Sequence, residues 1–261
     1  MVTSLTIGSW NVCTLMDIPN AERPARRTAL VALELGRYSV DVTALSETRI
    51  AAEGQLIEYN AGYTFFWNGQ KVDERREAGV GFAIRTKLVR NLTGQPKGIN
   101  DRLVTIRLPV GMNKHATLIS CYAPTMTNPE EIKDKFYQEL DALTSRDAML
   151  FILGDFNARV GMDCHSWEGA IGRNGVGKCN SNGVLLLRTC ISHDLLITNT
   201  IFRQANRNKT AWMDPRSEHW NMIDYIITRK TSRQDVKITK TISGVECWTD
   251  HRLVISKLSP M

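Results

Sequence analysis

Short apolar runs that end on a polar side chain recur along this chain, and they predict a protein built mainly of β-strands. The clearest example is FILGDFNA at 151–158, where three apolar residues stop at a glycine and Asp155, Phe156 and Asn157 follow. A buried strand ended by glycine is expected to open into a loop. The two-residue period of a strand then places Asp155 and Asn157 on one side and Phe156 on the other. An Asx-rich turn would explain this stretch equally well if it stood alone.

The same alternation predicts further strands and a few short helices. Strands are predicted at 5–12, 40–45, 63–67, 80–84, 103–108, 116–122, 149–154, 195–199, 222–228, 236–242 and 253–258. Apolar residues at helical spacing predict helices at 21–38, 129–143 and 184–190. Strands outnumber helices, and no linker or internal repeat divides the chain. We therefore predict one α+β domain over residues 1–261, with two packed sheets covered by helices.

Composition and charge narrow the class of protein. The 43% hydrophobic and 23% charged residues are ordinary for a soluble globular protein. The net charge of +6 and the pI near 9.1 weakly favour an anionic partner such as nucleic acid. The six cysteines form no C-x-x-C pair, which indicates a reduced intracellular chain and neither a disulfide scaffold nor a zinc site.

Targeting signals are not found in the sequence. The N-terminus lacks a basic start followed by a long apolar run, and no apolar run reaches the roughly 18–20 residues needed to cross a bilayer. We therefore expect an intracellular protein, nuclear or cytoplasmic, with no membrane partner. The basic ERPARR at 22–27 lies inside a predicted helix and is too weak to indicate nuclear import.

Several predicted strands end on a carboxylate, an amide, a phenol or an imidazole. These residues are Asn11, Glu47, Tyr122, Asp155, Asn157, Asp224, Asp250 and His251. Each alone has an ordinary explanation, such as a solvated loop residue for Glu47 or a packed ring for Tyr122. Asp224 is different because it interrupts an apolar strand, and a buried carboxylate needs a partner. His251 is expected to be that partner, since a carboxylate fixes the tautomer of an imidazole.

Three members of this set are hard oxygen ligands. The carboxylates of Glu47 and Asp250 and the amide oxygen of Asn11 suit Mg²⁺ or Mn²⁺, with water completing the coordination shell. No cluster of Cys and His residues in the sequence favours zinc. The sequence therefore predicts a site for a hard divalent cation.

The other members of the set suit attack on a phosphate. Asp155 is placed to hold the attacking water, and Asn157 and His251 could donate to phosphate oxygens on which charge develops. Cleavage of a phosphodiester asks a protein mainly for positioning and charge neutralisation. The set as a whole therefore predicts metal-assisted phosphoryl chemistry.

Six short motifs also carry a family resemblance. They are WN at 10–11, SET at 46–48, YAP at 122–124, GDFN at 154–157, IDY at 223–225 and TDH at 249–251. Their order resembles that of the endonuclease/exonuclease/phosphatase family, which includes apurinic endonucleases, deoxyribonuclease I and the endonuclease domains of non-LTR retrotransposons. The chain is most similar to the RTE/BovB type of retrotransposon and to craniofacial development protein 2-like proteins. Those similarities run through GRNGVGKCNSNG, LLITNTIF, KTAWMDPRSEHWNMIDYIITR and CWTDHRLVISKL.

The resemblance implies a fold, a reaction and a role for each residue of the set. The fold is a four-layered αββα sandwich like that of deoxyribonuclease I, with the site at one edge of the paired sheets. The reaction is Mg²⁺-dependent hydrolysis that leaves a 3′-hydroxyl and a 5′-phosphate. By position, the resemblance implies metal-side roles for Asn11, Glu47 and Asp250, a water-activating acid at Asp155, a transition-state amide at Asn157, a phenol near the scissile phosphate at Tyr122, an Asp–His pair at Asp224 and His251, and a phosphate contact at Thr210.

Three positions depart from the family pattern. Cys13 stands where apurinic endonucleases carry a metal-side Asp, which argues against a strong abasic-site specificity. Thr249 replaces the usual Ser but keeps the hydroxyl, so little change is expected. Thr125 follows YAP where the repair enzymes have a phosphate-contacting Asn.

The loop at 203–220 is the predicted contact with DNA. It interleaves basic and aromatic residues, namely Arg203, Arg207, Lys209, Trp212, Arg216, His219 and Trp220. Such a loop could enter a minor groove or wedge a base step, and Arg207, Lys209 and Trp220 are the candidates for substrate binding. The alternative is a solvated loop with Trp220 packed on the sandwich. Arg49, close after Glu47, is a candidate phosphate contact, with a surface salt bridge as its alternative.

The sequence thus predicts a divalent-metal DNA endonuclease that nicks one strand, as in target-site nicking by a retrotransposon. The expected partner is double-stranded DNA. The chain is expected to be either a free-standing nuclease or a domain of a larger polyprotein, and in the second case a reverse transcriptase domain is a further partner. Three alternatives stay open: a phosphatase of inositol phosphates or lipids, a catalytically silent domesticated DNA-binding protein, and a nuclease that acts on RNA.

Overall fold

The computed structural model describes residues 4–17, 26–111, 114–144, 148–245 and 247–259. The first part of the predicted helix, 21–25, and most of the ERPARR segment lie outside the described residues. Among the described residues, Cys13, Cys121, Cys164, Cys179 and Cys190 form no disulfide bond. No helix there is long and apolar enough to cross a membrane.

Strands supply most of the regular structure. In chain order they are β1 (Leu5–Asn11), β2 (Val42–Ser46), β3 (Glu53–Glu58), β4 (Tyr63–Asn68), β5 (Val80–Arg85), β6 (Lys97–Asn100), β7 (Leu103–Gly111), β8 (Lys114–Tyr122), β9 (Leu150–Asp155), β10 (Leu195–Ile197), β11 (Trp212–Met213), β12 (Trp220–Asn221), β13 (Asp224–Arg229), β14 (Val236–Ile242) and β15 (Leu253–Leu258). The α-helices are α1 (Arg27–Arg37), α2 (Thr86–Val89), α3 (Glu130–Thr144) and α4 (Ser181–Ser192).

The long strands form two mixed sheets. The first has seven strands in the order β14-β15-β1-β2-β5-β4-β3, and the second has six in the order β10-β13-β9-β8-β7-β6. Strands β11 and β12 pair with each other in a separate two-stranded hairpin. The β1–β2 and β8–β9 pairs are parallel, so the C-terminal ends of these four strands reach the same edge of their sheets.

The two sheets pack face to face and carry helices on their outer faces. Strand β9 shows why both faces of a central strand must be apolar. Phe151 and Leu153 point into the core between the sheets, whereas Leu150 and Ile152 pack in a second core with residues of α3 and α4. Helix α1 covers the outer face of the seven-stranded sheet. The four layers are therefore helix, sheet, sheet and helix, which confirms the predicted αββα sandwich.

Most predicted strands are confirmed, and those that sequence missed are polar or short. Strand β3, EGQLIE, is an edge strand whose exposed polar residues hide its alternation. Strand β6, KGIN, is a four-residue edge strand, and β11 and β12 have two residues each inside the loop predicted at 203–220. The strand predicted at 195–199 ends at Ile197, and the chain continues as a 3₁₀ turn.

Candidate active site

The ends of five strands bring the predicted residues together at one edge of the two sheets. In the register, Asn11 pairs with Ser46, the residue before Glu47. In the other sheet, Asp155 pairs with Tyr122 on one side and with Asp224 on the other. Because register fixes neighbouring strand ends side by side, these side chains meet without any long loop to place them.

Asn11 links the two sheets. Its amide nitrogen donates to Glu47 Oε1 at 2.9 Å and to Asp155 Oδ2 at 3.0 Å. The Tyr122 hydroxyl also donates to Glu47 Oε1, at 3.0 Å. The amide oxygen of Asn11, which the sequence predicts to ligate a metal, accepts the backbone N–H of Cys13 at 2.9 Å. In this structure Asn11 therefore acts as a donor that holds two carboxylates together.

His251 lies between three carboxylates. Its Nδ1 is 2.9 Å from Asp224 Oδ2, so the structure brings the two residues of the predicted Asp–His pair into contact. Its Nε2 is 3.9 Å from Asp155 Oδ2 and 4.0 Å from Asp250 Oδ1. The pair with Asp224 fixes the ring, so Nε2 faces the space between Asp155 and Asp250.

Burial and mutual charge set the protonation of this cluster. Burial, together with the charge of Asp224, raises the pKa of Asp155 to about 7. Burial also raises the pKa of Asp224. Burial alone would lower the pKa of His251, but the charge of Asp224 and the hydrogen bond to it outweigh that effect and raise the pKa to about 9. His251 is therefore an imidazolium at neutral pH, and Asp155 titrates near neutrality.

Asp250 is held from two sides. Cys13 Sγ donates to its Oδ1 at 3.0 Å, and Trp212 Nε1 donates to its Oδ2 at 2.9 Å. The preceding Thr249 uses its hydroxyl to donate to the carbonyl of Asn11 at 2.8 Å. Burial raises the pKa of the Cys13 thiol to about 12, with a further contribution from its hydrogen bond to Asp250. Cys13 is therefore a protonated donor beside Asp250.

Asn157 is fixed by backbone contacts. It adopts a left-handed conformation with φ of 48°, and its N–H donates to Asp155 Oδ1 at 2.8 Å. Its amide nitrogen donates to the carbonyl of Ala123 at 2.9 Å. Asn182, which the sequence did not single out, donates to the carbonyls of Asn157 and Pro124, each at 3.0 Å. An amide hydrogen of Asn157 remains for a phosphate oxygen, because an amide nitrogen carries two donors.

Gly154 lets β9 approach β8 closely enough to bring Asp155 into the cluster. A Cβ at this position would lie 1.9 Å from the carbonyl oxygen of Cys121 on β8. Any other residue would therefore push Asp155 away from its neighbours. The glycine that predicted the end of the strand from sequence also sets the spacing at the site.

Several residues at this edge have a left-handed backbone conformation. Cys13, Glu47 and Arg49 are non-glycine residues with φ of 55°, 52° and 53°. Left-handed conformations of such residues cost free energy and persist where surrounding structure enforces them, often at functional sites. Arg49 also forms an ion pair with Glu47, with 2.6 Å between Nη2 and Oε2.

The donor set fits a hard divalent cation. The four carboxylates at the edge are Glu47, Asp155, Asp224 and Asp250. Among the described residues, the positive groups in contact with them are His251 and Arg49. A carboxylate oxygen of Asp155 and one of Asp224 lie within 4.8 Å of each other, and Asp224 Oδ1 is buried without a hydrogen-bond partner. The excess of carboxylate oxygens is the chemistry that Mg²⁺ and Mn²⁺ prefer.

The structure separates the predicted DNA-contacting residues into buried and exposed ones. Lys209 is buried, its Nζ donates to the carbonyl of Asn174 at 3.1 Å, and burial lowers its pKa. Thr210 is also buried, and its hydroxyl donates to the carbonyl of Asn206 at 3.0 Å. In this structure both side chains are little exposed and are hydrogen-bonded within the protein.

Arg207 and Trp220 lie nearer the surface. Arg207 is exposed, and Trp220 is half-exposed with the guanidinium of Arg252 3.2 Å from its ring centroid. The sequence did not single out Arg252 or the contact of Trp212 with Asp250. The aromatic and basic composition of the loop indicated that it is functional. It did not indicate the contacts of Trp220 with Arg252 and of Trp212 with Asp250, because these residues lie far apart in the chain.

Known protein families and proteins share sequence similarity with most of this chain. A sequence model of the endonuclease/exonuclease/phosphatase family matches residues 8–251. Craniofacial development protein 2 of Bos taurus is 34% identical over 254 residues, which are 96% of this chain and 40% of that protein. The chain thus spans about two fifths of the length of the curated relatives it matches.

Solved structures share the fold at low sequence identity. The endonuclease domain of TRAS1, a telomere-specific non-LTR retrotransposon, has a TM-score of 0.66 and 13% identity, with 98% of this chain and 99% of that chain covered. The catalytic domain of Xenopus laevis APE2 has a TM-score of 0.68 and 18% identity, with 98% and 92% covered. These likenesses confirm the deoxyribonuclease I-like fold.

Proposed function

The chain belongs to the endonuclease/exonuclease/phosphatase family, and from that premise we propose that it is a divalent-metal-dependent DNA endonuclease. Membership supports a hydrolase, and the observation that carries the proposal is the His251 cluster. An imidazolium held by Asp224 at 2.9 Å faces Asp155, whose pKa is raised to about 7. These are an acid and a base poised for chemistry near neutral pH.

Asp155 is the proposed acceptor of the proton of the attacking water. Its Oδ1 is engaged by the Asn157 N–H, and its Oδ2 accepts from Asn11. Both contacts fix the carboxylate in place, which lowers the cost of ordering it for reaction. A pKa near neutrality suits a general base because the group is partly ionised and still basic.

His251, Asn157 and Tyr122 are the proposed donors to the phosphate. The Nε2 of His251 faces the space between Asp155 and Asp250. A phosphate oxygen in that space would accept a charge-assisted hydrogen bond from Nε2. Burial, with the charge of Glu47, raises the pKa of Tyr122 above its usual value, so its hydroxyl stays a donor. The same proposal includes metal-side roles for Glu47, Asp250 and Asn11. It also includes contacts with DNA by Arg49, Arg207 and Trp220.

A bound Mg²⁺ or Mn²⁺ would neutralise charge on the phosphate and on the leaving oxygen. The residues that would hold it are Glu47, Asp250 and Asn11, with Asp155, Asp224 and His251 beside them. The proposed products are a nick with a 3′-hydroxyl and a 5′-phosphate. Target-site nicking of double-stranded DNA, with a reverse transcriptase domain as partner in a parent polyprotein, is part of the same proposal; the endonuclease domain of TRAS1, a non-LTR retrotransposon, shares the fold.

A nicking assay on supercoiled plasmid tests the proposal. We expect the wild-type chain to form open circles with Mg²⁺, and EDTA, Asp155→Ala or His251→Ala to abolish that activity. His115→Ala is the matched control, because His115 lies at the opposite end of β8 from Tyr122. Absence of nicking by folded wild type with both Mg²⁺ and Mn²⁺ would contradict the proposal, and turnover of inositol phosphates or RNA instead would identify a different hydrolase.

A further inference from the structure

Trp212 joins the β11–β12 hairpin to the metal side of the site. Its indole N–H donates to Asp250 Oδ2 at 2.9 Å. Its backbone forms an isolated antiparallel bridge with His251, and its ring centroid lies 6.2 Å from the imidazole centroid at an interplanar angle of 33°. One residue of the hairpin thus contacts both members of the Asp–His step in the motif TDH.

Further contacts tie the hairpin to the residue after that motif. The N–H of Arg252 donates to the carbonyl of Ala211 at 2.7 Å, and its Nη1 donates to the carbonyl of Arg207 at 3.3 Å. Its guanidinium also stacks on Trp220. The hairpin and residues 249–252 are therefore connected through backbone, side-chain and ring contacts.

Asp250 needs such support because it is exposed. Its side chain is 57% exposed, in contrast to 2% for Asp155. An exposed carboxylate samples several rotamers, and each fixed rotamer costs conformational entropy. Cys13 holds Oδ1 and Trp212 holds Oδ2, so the two donors together select one orientation.

We propose that Trp212 is a positioning residue for Asp250, and that its indole N–H holds the carboxylate in the orientation that binds the divalent cation. The inference rests on the metal-binding part of the proposed function. It also assigns Trp212 a different task from the DNA contact expected for its loop. Donors that orient ligand groups are required for tight metal binding, and their loss typically weakens metal affinity about tenfold or more.

The test measures Mn²⁺ binding to the metal-free chain by electron paramagnetic resonance, without DNA. Trp212→Phe keeps a ring but removes the N–H donor, and we expect about tenfold weaker Mn²⁺ binding. Trp67→Phe is the matched control, because the Trp67 indole nitrogen is buried without a hydrogen-bond partner. It should bind Mn²⁺ like the wild type.

A double-mutant cycle separates positioning from general support of the fold. If Trp212 acts through Asp250, Trp212→Phe has no further effect on Mn²⁺ affinity in an Asp250→Ala background. In nicking assays, raising the Mn²⁺ concentration should restore the kcat of Trp212→Phe, with KM for DNA unchanged. Wild-type Mn²⁺ affinity in Trp212→Phe, or an equal loss in both backgrounds, would overturn the inference. A wild type that binds Mn²⁺ but does not nick DNA would overturn only the proposed nuclease.

Discussion

At the scale of the residue, the cluster works through opposed charges in a buried space. Asp155 and Asp224 are paired strand residues with 1% and 0% exposure, and one imidazolium serves both. Two carboxylates that share one cation cannot both be fully ionised without cost. Burial and the charge of Asp224 raise the pKa of Asp155 to about 7, whereas the charges of the two carboxylates outweigh burial at His251 and raise its pKa to about 9.

The first prediction concerns the pH dependence of stability in EDTA. The folded pKa of Asp155, about 7, lies above its ordinary value of 3.8. The free energy that favours folding through protonated Asp155 is therefore present below about pH 4 and is lost as pH rises to about 7. As pH rises through that window, the free energy of unfolding of the wild type should fall by on the order of 1–4 kcal/mol relative to that of Asp155→Asn.

Urea unfolding of both proteins at several pH values measures this difference. The amide of Asp155→Asn changes hydrogen bonds to Asn11 and Asn157, but that offset does not depend on pH in this range. Asp163→Asn, at an exposed carboxylate, is the control variant. A constant difference between wild type and Asp155→Asn from pH 4 to pH 7 would contradict the prediction.

At the scale of the element, strand ends could be predicted and loop pairings could not. The apolar run of β9 predicted both the strand and the position of Asp155, because a period of two and a terminal glycine are local properties. The contact of Asp224 with His251 followed from the need of a buried carboxylate for a partner. The contact of Trp212 with Asp250 joins residues that are 38 positions apart in the chain. No local sequence pattern predicts that they meet. Edge strand β3 was missed because its polar residues face solvent.

The second prediction assigns different roles to two basic residues that lie close together in the chain. Arg207 lies within the 3₁₀ turn Asn206–Asn208, and Lys209 follows that turn directly. Arg207 is exposed, whereas Lys209 is buried against the carbonyl of Asn174. We expect Arg207→Ala to weaken binding to duplex DNA and to reduce the slope of log affinity against log salt by up to about one. Lys209→Ala should leave that slope unchanged and lower the free energy of unfolding by about 1 kcal/mol, through the lost hydrogen bond.

Fluorescence anisotropy with labelled duplex over a range of salt concentrations, together with urea unfolding, tests the pair. The two substitutions remove the same formal charge from neighbouring positions, so each serves as the control for the other. An equal change of salt slope in both variants would show that burial of Lys209 does not decide its role.

At the scale of the whole molecule, the site is shared between the two sheets. Asn11 ends a strand of the seven-stranded sheet and Glu47 follows another, whereas Tyr122 and Asp155 end strands of the six-stranded sheet. The core between the sheets combines residues from both ends of the chain, such as Leu5 and Leu258. Packing brings like charges together across this boundary, and the folded state therefore carries an electrostatic cost at the edge.

The third prediction is that a divalent cation stabilises the whole molecule by removing that cost. A cation at ten times its Kd should raise the free energy of unfolding by about 1.4 kcal/mol, because it binds the folded state alone. For a chain of this size that corresponds to a rise in Tm of about 3 °C. Thermal unfolding of the wild type with Mg²⁺, compared with NaCl of equal ionic strength, measures the effect.

Glu47→Gln, which lacks one carboxylate of the seven-stranded sheet, should show a much smaller rise in Tm. A single cooperative transition that shifts as a unit would also support the single domain predicted over 1–261, whereas an equal rise in Glu47→Gln would place the stabilising cation elsewhere.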